Sequence, residues 1–166
     1  MSKFFTLFIL SLGIFTHSFS QKHSVPAPFS GKVVRILDGD TYEVLTPGKT
    51  LVRIRMMGID APEKNQAFGQ RSKQTLGMLC GGQLVSVQPT GVDRYGRVLA
   101  YAYNSQGMNI NAEMVRRGMA WHYKHYSKDP QLANAERFAQ SNRIGIWSDP
   151  QIMAPWEFRK FRRNRK

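Results

Sequence analysis

The sequence predicts an α+β domain dominated by β structure, with five short strands rolled into a Greek-key barrel and about three helices around it. Three observations carry this prediction. Three β-branched, alternating runs follow one another after residue 31. A helix-like stretch separates them from two further strand-like runs, and glycine or proline marks the turns. A helix between the third and fourth of five strands is the OB-type barrel arrangement, a known platform for oligonucleotides. The same pattern also suits other α+β folds.

Residues 1–20 read as a signal peptide. Lys3 supplies the positive start, Phe4 to Phe15 is mostly apolar and uncharged, and Ser18 and Ser20 put small residues before a cut ahead of Gln21. A membrane span needs about 20 apolar residues, so this run is short for one. Export with cleavage, to the periplasm or the medium, is expected, with no stable membrane insertion of the mature form; an uncleaved anchor is the alternative. About 146 residues then remain, the size of one domain, and a monomer is expected.

Residues 21–30, with Pro26 and Pro28, form an extended lead-in to a barrel domain over residues 31–150. Lys32 to Leu37, Thr41 to Leu45 and Leu51 to Met57 read as the first three strands. The third puts Val52, Ile54 and Met56 on one face and Arg53 and Arg55 on the other. Gln66 to Leu79 reads as a helix, and Gln83 to Gln88 and Arg97 to Tyr103 as the fourth and fifth strands. Asn109 is positioned to cap a helix through Arg117, with Gly118 just past its end. Asp129-Pro130 starts another, running to about Asn142. Residues 151–166 form a basic tail, whose end, Phe158 to Lys166, is expected to be loosely ordered.

The net charge of +13 favours polyanions, either nucleic acid or an anionic membrane surface. Cys80 is the single cysteine and permits no internal disulfide; at an apolar helix end it reads as a buried structural thiol.

Four features bear on chemistry. Asp38-Gly39-Asp40 puts two carboxylates on a tight turn, where they converge on a hard cation or form an ordinary acidic hairpin turn. Ile59-Asp60-Ala61-Pro62-Glu63 sets Asp60 and Glu63 on a segment stiffened by Pro62, as a reactive site requires, or simply solvates them. Asp93 to Arg97 offers the Arg94 and Arg97 forks to phosphate and a Tyr95 ring for stacking, or forms a basic hairpin turn. Trp121 to Tyr126 interleaves rings and cations in a way that suits single-stranded nucleic acid. His122 and His125 are spaced for one helical face, but no third histidine or cysteine ligand accompanies them, so a transition-metal site is not expected.

In order and spacing these features resemble the staphylococcal nuclease (thermonuclease) family. The likeness rests on Asp40, on Arg55 five residues before Asp60, on Pro62-Glu63, on Asp93 to Arg97 and on the tyrosine-rich segment. It covers about Lys32 to Trp147, including the closing Ile144-Gly145-Ile146-Trp147-Ser148. The resemblance implies a calcium-dependent endonuclease on an OB barrel that hydrolyses DNA and RNA at the P–O5′ bond, leaving 3′-phosphate ends. It implies that Asp40, Asp60 and the backbone carbonyl of Ala61 hold Ca²⁺, with Asp38 holding water beside it. Arg55 and Arg97 match phosphate-binding arginines, and Glu63 a glutamate that orients or deprotonates the attacking water. Arg94 and Tyr95 match positions near the terminal phosphate, and Tyr123 and Tyr126 the tyrosines that line the nucleotide pocket. Two departures stand out: Ala61 replaces the family's usual threonine, and the loop after Glu63 is shorter. The rival readings are a binding-only OB module and an envelope adaptor docked through its basic tail.

Overall fold

The computed structural model describes residues 24–165, so the expected signal peptide lies outside the described residues. Strands β1 (Phe29–Ile36), β2 (Thr41–Leu45) and β3 (Leu51–Met56) form an antiparallel meander. A two-residue strand, β4 (Ile59–Asp60), follows, then helix α1 (Gly69–Cys80) and strands β5 (Leu84–Val92) and β6 (Val98–Tyr103). The barrel closes in the order β1-β2-β3-β6-β5, with β3 and β6 parallel and β5 returning antiparallel to β1. This is the expected five-stranded OB-type closure. Helix α2 (Ile110–Arg116), strand β7 (Trp121–His122), which pairs with β4, and helix α3 (Pro130–Ser141) come next. A 3-10 turn (Gly145–Ser148) and helix α4 (Pro155–Asn164) end the described chain.

The strand patterns explain which surfaces are covered. In β3, Ile54 and Met56 are fully buried and Arg53 points out, as alternation requires. In β2 alternation fails: Thr41, Tyr42, Glu43 and Val44 are all buried. Glu43 is covered because Arg35 and Arg53 fold over it, with contacts of 3.1 and 2.9 Å. Strand β5 runs past the expected Gln88 because its ladder shifts register between Pro89 and Gly91, which accommodates the proline.

Helix α1 starts three residues later than Gln66. Phe68 adopts a left-handed conformation (φ 66°) and Gly69 packs so tightly on the Glu63 carbonyl that a Cβ there would collide with it. The caps of the next two helices are as expected: Asn109 accepts from the Ala112 N–H, and Asp129 accepts from the Gln131 N–H ahead of Pro130. Gly118 ends α2 with φ 59°, its α-carbon pressed against the Ile144 carbonyl.

The described chain holds four α-helices rather than about three, and the difference lies in the tail. The segment expected to be loosely ordered is helix α4. Pro155 opens it at the first helical position, Glu157 lies in its first turn and Arg162 and Arg163 in its last, all favourable to the helix dipole. A second apolar cluster seats this segment. Trp121, Ile146 and Ala154 pack with Phe68, Trp147, Ile152 and Trp156, apart from the main core inside the barrel. Among the described residues no helix is long and apolar enough to cross a membrane.

Candidate active site

A groove of about 780 Å³ runs across one end of the barrel. Its floor comes from two turns. In the β1–β2 turn, the Leu37 and Asp38 N–H groups both donate to the Thr41 carbonyl, and Asp38 Oδ1 accepts from the Asp40 N–H at 3.2 Å. Asp40 is buried. Its Oδ1 accepts from the Thr41 hydroxyl at 3.0 Å and its Oδ2 from the Ala61 N–H at 2.9 Å. The second turn, between β3 and β4, is held by Arg55, whose Nη1 donates to the Met56 and Ile59 carbonyls, each at 2.8 Å.

Arg55 Nη2 lies 3.1 Å from Asp40 Oδ2 and 3.0 Å from Asp60 Oδ1. The two carboxylates therefore converge on one positive centre. Asp60 is 1% exposed. Burial raises its affinity for a proton, opposed by the hydrogen bond from Arg159 and reinforced by the charge on Asp40. Asp38 is pushed up to about 6, first by burial and then by Asp40. Burial is the first cause of both shifts and the charge on Asp40 adds to each, so full ionisation of the floor is costly without a further positive charge.

The opposite rim is the turn between β5 and β6. Asp93 Oδ1 accepts from the Tyr95 and Arg97 N–H groups at 2.8 and 3.0 Å, and its Oδ2 from Arg97 Nε at 2.7 Å. Partial burial works to raise the Asp93 carboxyl, but the hydrogen bonds from Arg97 and Tyr95 outweigh it and leave it below the usual range. Tyr95 is exposed, with the Arg94 guanidinium 4.9 Å from its ring centre and the Arg97 guanidinium 5.6 Å away.

Rings and the C-terminal helix form the third side. Tyr123 and Tyr126 meet edge to face at 4.8 Å, and Trp156 of α4 stacks on Tyr123 at 5.1 Å with an interplanar angle of 2°. Arg159, one turn further along α4, reaches Asp60 Oδ2 at 2.8 Å, Asp60 Oδ1 at 3.2 Å and Glu63 Oε1 at 2.8 Å.

The residues to which the resemblance gives roles all line this one groove: Asp38, Asp40, Arg55, Asp60, Ala61, Glu63, Arg94, Tyr95, Arg97, Tyr123 and Tyr126; Trp121, His122, Lys124 and His125 line a neighbouring cavity instead. Arg159 also lines it and was not foreseen, since a run of tail cations gives no hint of which one turns inward; Pro155 opening a helix was the available signal. His122 and His125 do not share a helical face. His122 ends β7, with Nε2 3.0 Å from the Ser127 carbonyl, and His125 sits in the following turn, 4.7 Å from the Tyr126 ring centre.

Among the described residues no three His, Cys, Asp or Glu side chains form a metal-binding group. A cation on this floor would rest on Asp40, Asp60, backbone oxygen and water. That all-oxygen set, with two buried carboxylates already gathered around a positive charge, fits a hard divalent cation and not a soft one.

Comparison with known proteins agrees with this geometry. Residues 53–149 match the family described as "Staphylococcal nuclease homologue". Over 153 residues the chain is 47% identical to a protein of Shigella flexneri named "Micrococcal nuclease", covering 85% of this chain and 87% of that one. It is 48% identical over 129 residues to an "Uncharacterized endonuclease" of Haemophilus influenzae, covering 78% of this chain and 72% of the relative. It is 42% identical over 150 residues to "Protein ParB" of Escherichia coli, covering 84% of each.

Proposed function

The chain belongs to the staphylococcal nuclease family and is a nuclease, and from that premise we propose that it is a calcium-dependent endonuclease hydrolysing DNA and RNA at the P–O5′ bond. One observation carries the reading: the buried pair Asp40 and Asp60, the carboxylate Glu63 and the arginines Arg55 and Arg97 all face one groove. In this proposal Asp40, Asp60 and the Ala61 carbonyl hold Ca²⁺, and Asp38 holds water beside it. When bound, the cation supplies Lewis-acid polarisation of the phosphoryl oxygen.

The side chains do the remaining work. Arg97, through its two free guanidinium nitrogens, and Arg55, through Nε because its Nη1 and Nη2 are held by carbonyls and carboxylates, bind the scissile phosphate and stabilise the charge that grows on its oxygens in the transition state. Glu63 accepts a hydrogen bond from the attacking water and directs its lone pair at phosphorus, in line with the leaving O5′. The water oxygen bonds to phosphorus as the bond to O5′ breaks; the proton the water gives up passes by way of Glu63 to solvent and O5′ takes one from solvent, leaving a 3′-phosphate and a 5′-hydroxyl. The exposed rings of Tyr95 and Tyr126 offer stacking faces, Tyr123 lines the pocket with Trp156 stacked on one side of it, and Arg94 offers a further phosphate contact. Phosphate forks read the backbone and rings stack on any base, so neither reads sequence, which supports action on both nucleic acids. The positive charge, +13 over the full chain and all but Lys3 of it after residue 20, draws the polyanion in. In this reading the exported chain, from Gln21 onward, acts as a monomer; Lys3 and the apolar run after it support export.

The test uses residues 21–166 with single-stranded DNA and with RNA, first in Ca²⁺ and then with a calcium-selective chelator. The expected result is calcium-dependent cutting of both, with 3′-phosphate ends. Binding without cutting in any divalent ion would replace the nuclease reading with a binding module. Glu63→Gln is expected to lower turnover by about 10² or more with an unchanged melting curve; near-normal turnover would remove Glu63 from its assigned role.

A further inference from the structure

The family match ends at Asp149, yet the chain continues into the groove. Helix α4 lies outside the matched residues and is anchored at three points. Trp156 stacks on Tyr123 and packs edge-on against Trp121 at 6.4 Å. Ala154 and Ile152 sit in the second apolar cluster. Gln66 Nε2 donates to the Met153 carbonyl at 2.6 Å, while Gln66 Oε1 accepts from the Glu63 N–H at 3.1 Å. The segment that carries Glu63 is therefore tied to the C-terminal segment through its backbone as well as through Arg159.

Arg159 spans the gap between the two acidic groups with distinct tasks. One guanidinium holds both oxygens of Asp60 and one oxygen of Glu63. The Glu63 side chain is 37% exposed, and Arg159 is its ion-pair partner among the described residues. A half-exposed glutamate with no such partner rotates among several rotamers.

We propose that Arg159 is a positioning residue for the hydrolysis: its planar fork sets the distance and direction of the Glu63 carboxylate relative to Asp60, so that a helix beyond the barrel completes the active site. The proposal rests on Asp60 and Glu63 having the roles given above. It has two consequences of opposite sign. Removing the fork frees Glu63 and slows the chemical step, because a displacement of about 1 Å at a reacting group costs large factors in rate. Removing the positive charge beside Asp60 strengthens the attraction of the floor for a divalent cation. A residue that served only to hold the fold together would, on removal, weaken cation binding and turnover in parallel. The contact with Glu63 is exposed and contributes little to stability, and buried Asp60 keeps Arg55 at 3.0 Å when Arg159 is removed, so the fold is expected to survive the change, as a melting curve for each variant checks.

The experiment compares Arg159→Ala and Arg159→Lys with the unaltered chain over residues 21–166. Calcium affinity is measured by titration calorimetry without substrate, and kcat and KM on a single-stranded oligonucleotide at saturating Ca²⁺. For Arg159→Ala, kcat falls by about tenfold or more with KM nearly unchanged, and Ca²⁺ binds several-fold more tightly. For Arg159→Lys, Ca²⁺ affinity stays near that of the parent while kcat remains low, because an ammonium carries the charge without the planar fork. A kcat for Arg159→Ala within about twofold of the parent, or a parallel loss of Ca²⁺ affinity and kcat, overturns the proposal. A parent that cuts with Ca²⁺ while both variants match it overturns the positioning role alone. A parent that neither binds Ca²⁺ nor cuts overturns the calcium-nuclease reading and this proposal with it.

Discussion

Arg55 and Arg97 face the same groove from opposite sides and are held in opposite ways. The Arg55 side chain is 15% exposed and wedged into the β3–β4 turn, with two carbonyls and two carboxylates around one guanidinium. Arg97 sits on the rim at 28% exposure, with Asp93 as its carboxylate partner. Arg55 thus belongs to the architecture: its charge makes it tolerable for Asp40 and Asp60 to be buried. Arg97 belongs to a tool on a turn, whose single carboxylate partner keeps it aimed while leaving two guanidinium nitrogens for a phosphate. Two arginines of one chemical role therefore have different structural stakes.

The sharpest test of this contrast is Arg55→Ala. It leaves Asp40 without its guanidinium and Asp60 with Arg159 alone. The expected result is a loss of about 3 kcal/mol in urea unfolding together with at least about 10² in turnover. Arg97→Ala should lose at least about 10² in turnover, yet less than about 1 kcal/mol in the same unfolding measurement. Equal destabilisation of the two variants would break the distinction between floor and rim. Asp93→Asn sharpens it from the other side. The asparagine keeps an acceptor for the turn but weakens the hold on Arg97 Nε, so kcat/KM is expected to fall by about tenfold with little change in melting. An undiminished kcat/KM would show that the rim needs no aiming.

The same division governs what was legible in the sequence. Barrel strands announce themselves through alternation, as in Val52, Ile54 and Met56, and the caps Asn109 and Asp129 act within three residues of their own positions. The site residues were legible because they cluster on two turns and one rim, in a spacing that a known family shares. What escaped notice depends on contacts distant in the chain. Glu43 looks like an exposed strand residue until Arg35 and Arg53 close over it. Arg159 is 96 residues from Glu63 and 99 from Asp60, and nothing local distinguishes it from Arg162 or Arg163. Ala61 looked like a lost threonine, whereas its N–H holds Asp40, a contact any residue but proline provides there. Helix α1 starts at Gly69 and not Gln66 because the left-handed Phe68 and the close approach of Gly69 to the Glu63 carbonyl, neither of them a matter of helix propensity, set the turn before it.

Asp38 gives the smallest of these effects and probes the floor through its charge balance. Burial, and after it the charge on Asp40, lifts the Asp38 carboxyl from its ordinary value of 3.8 to about 6. Between those values the folded chain holds a proton that the unfolded chain has released. Stability in the presence of a chelator therefore falls as pH rises from about 4 to about 6, with the contribution fully present below that window and lost above it. The shift is shared between two interacting carboxyls, so the amount assigned to Asp38 is on the order of 1 kcal/mol. Asp93 has the opposite sign: its lowered carboxyl stabilises the fold at higher pH and loses that contribution on acidification. A single profile therefore mixes the two. The difference between the parent and Asp38→Asn, which stays neutral throughout, isolates the floor. That variant should match the parent near pH 4 and exceed it near pH 7, in chelator, by unfolding at each pH. A gap that fails to open across the window would mean that the Asp38 carboxyl is already balanced in the fold, leaving Asp60 and Asp93 to carry the pH response.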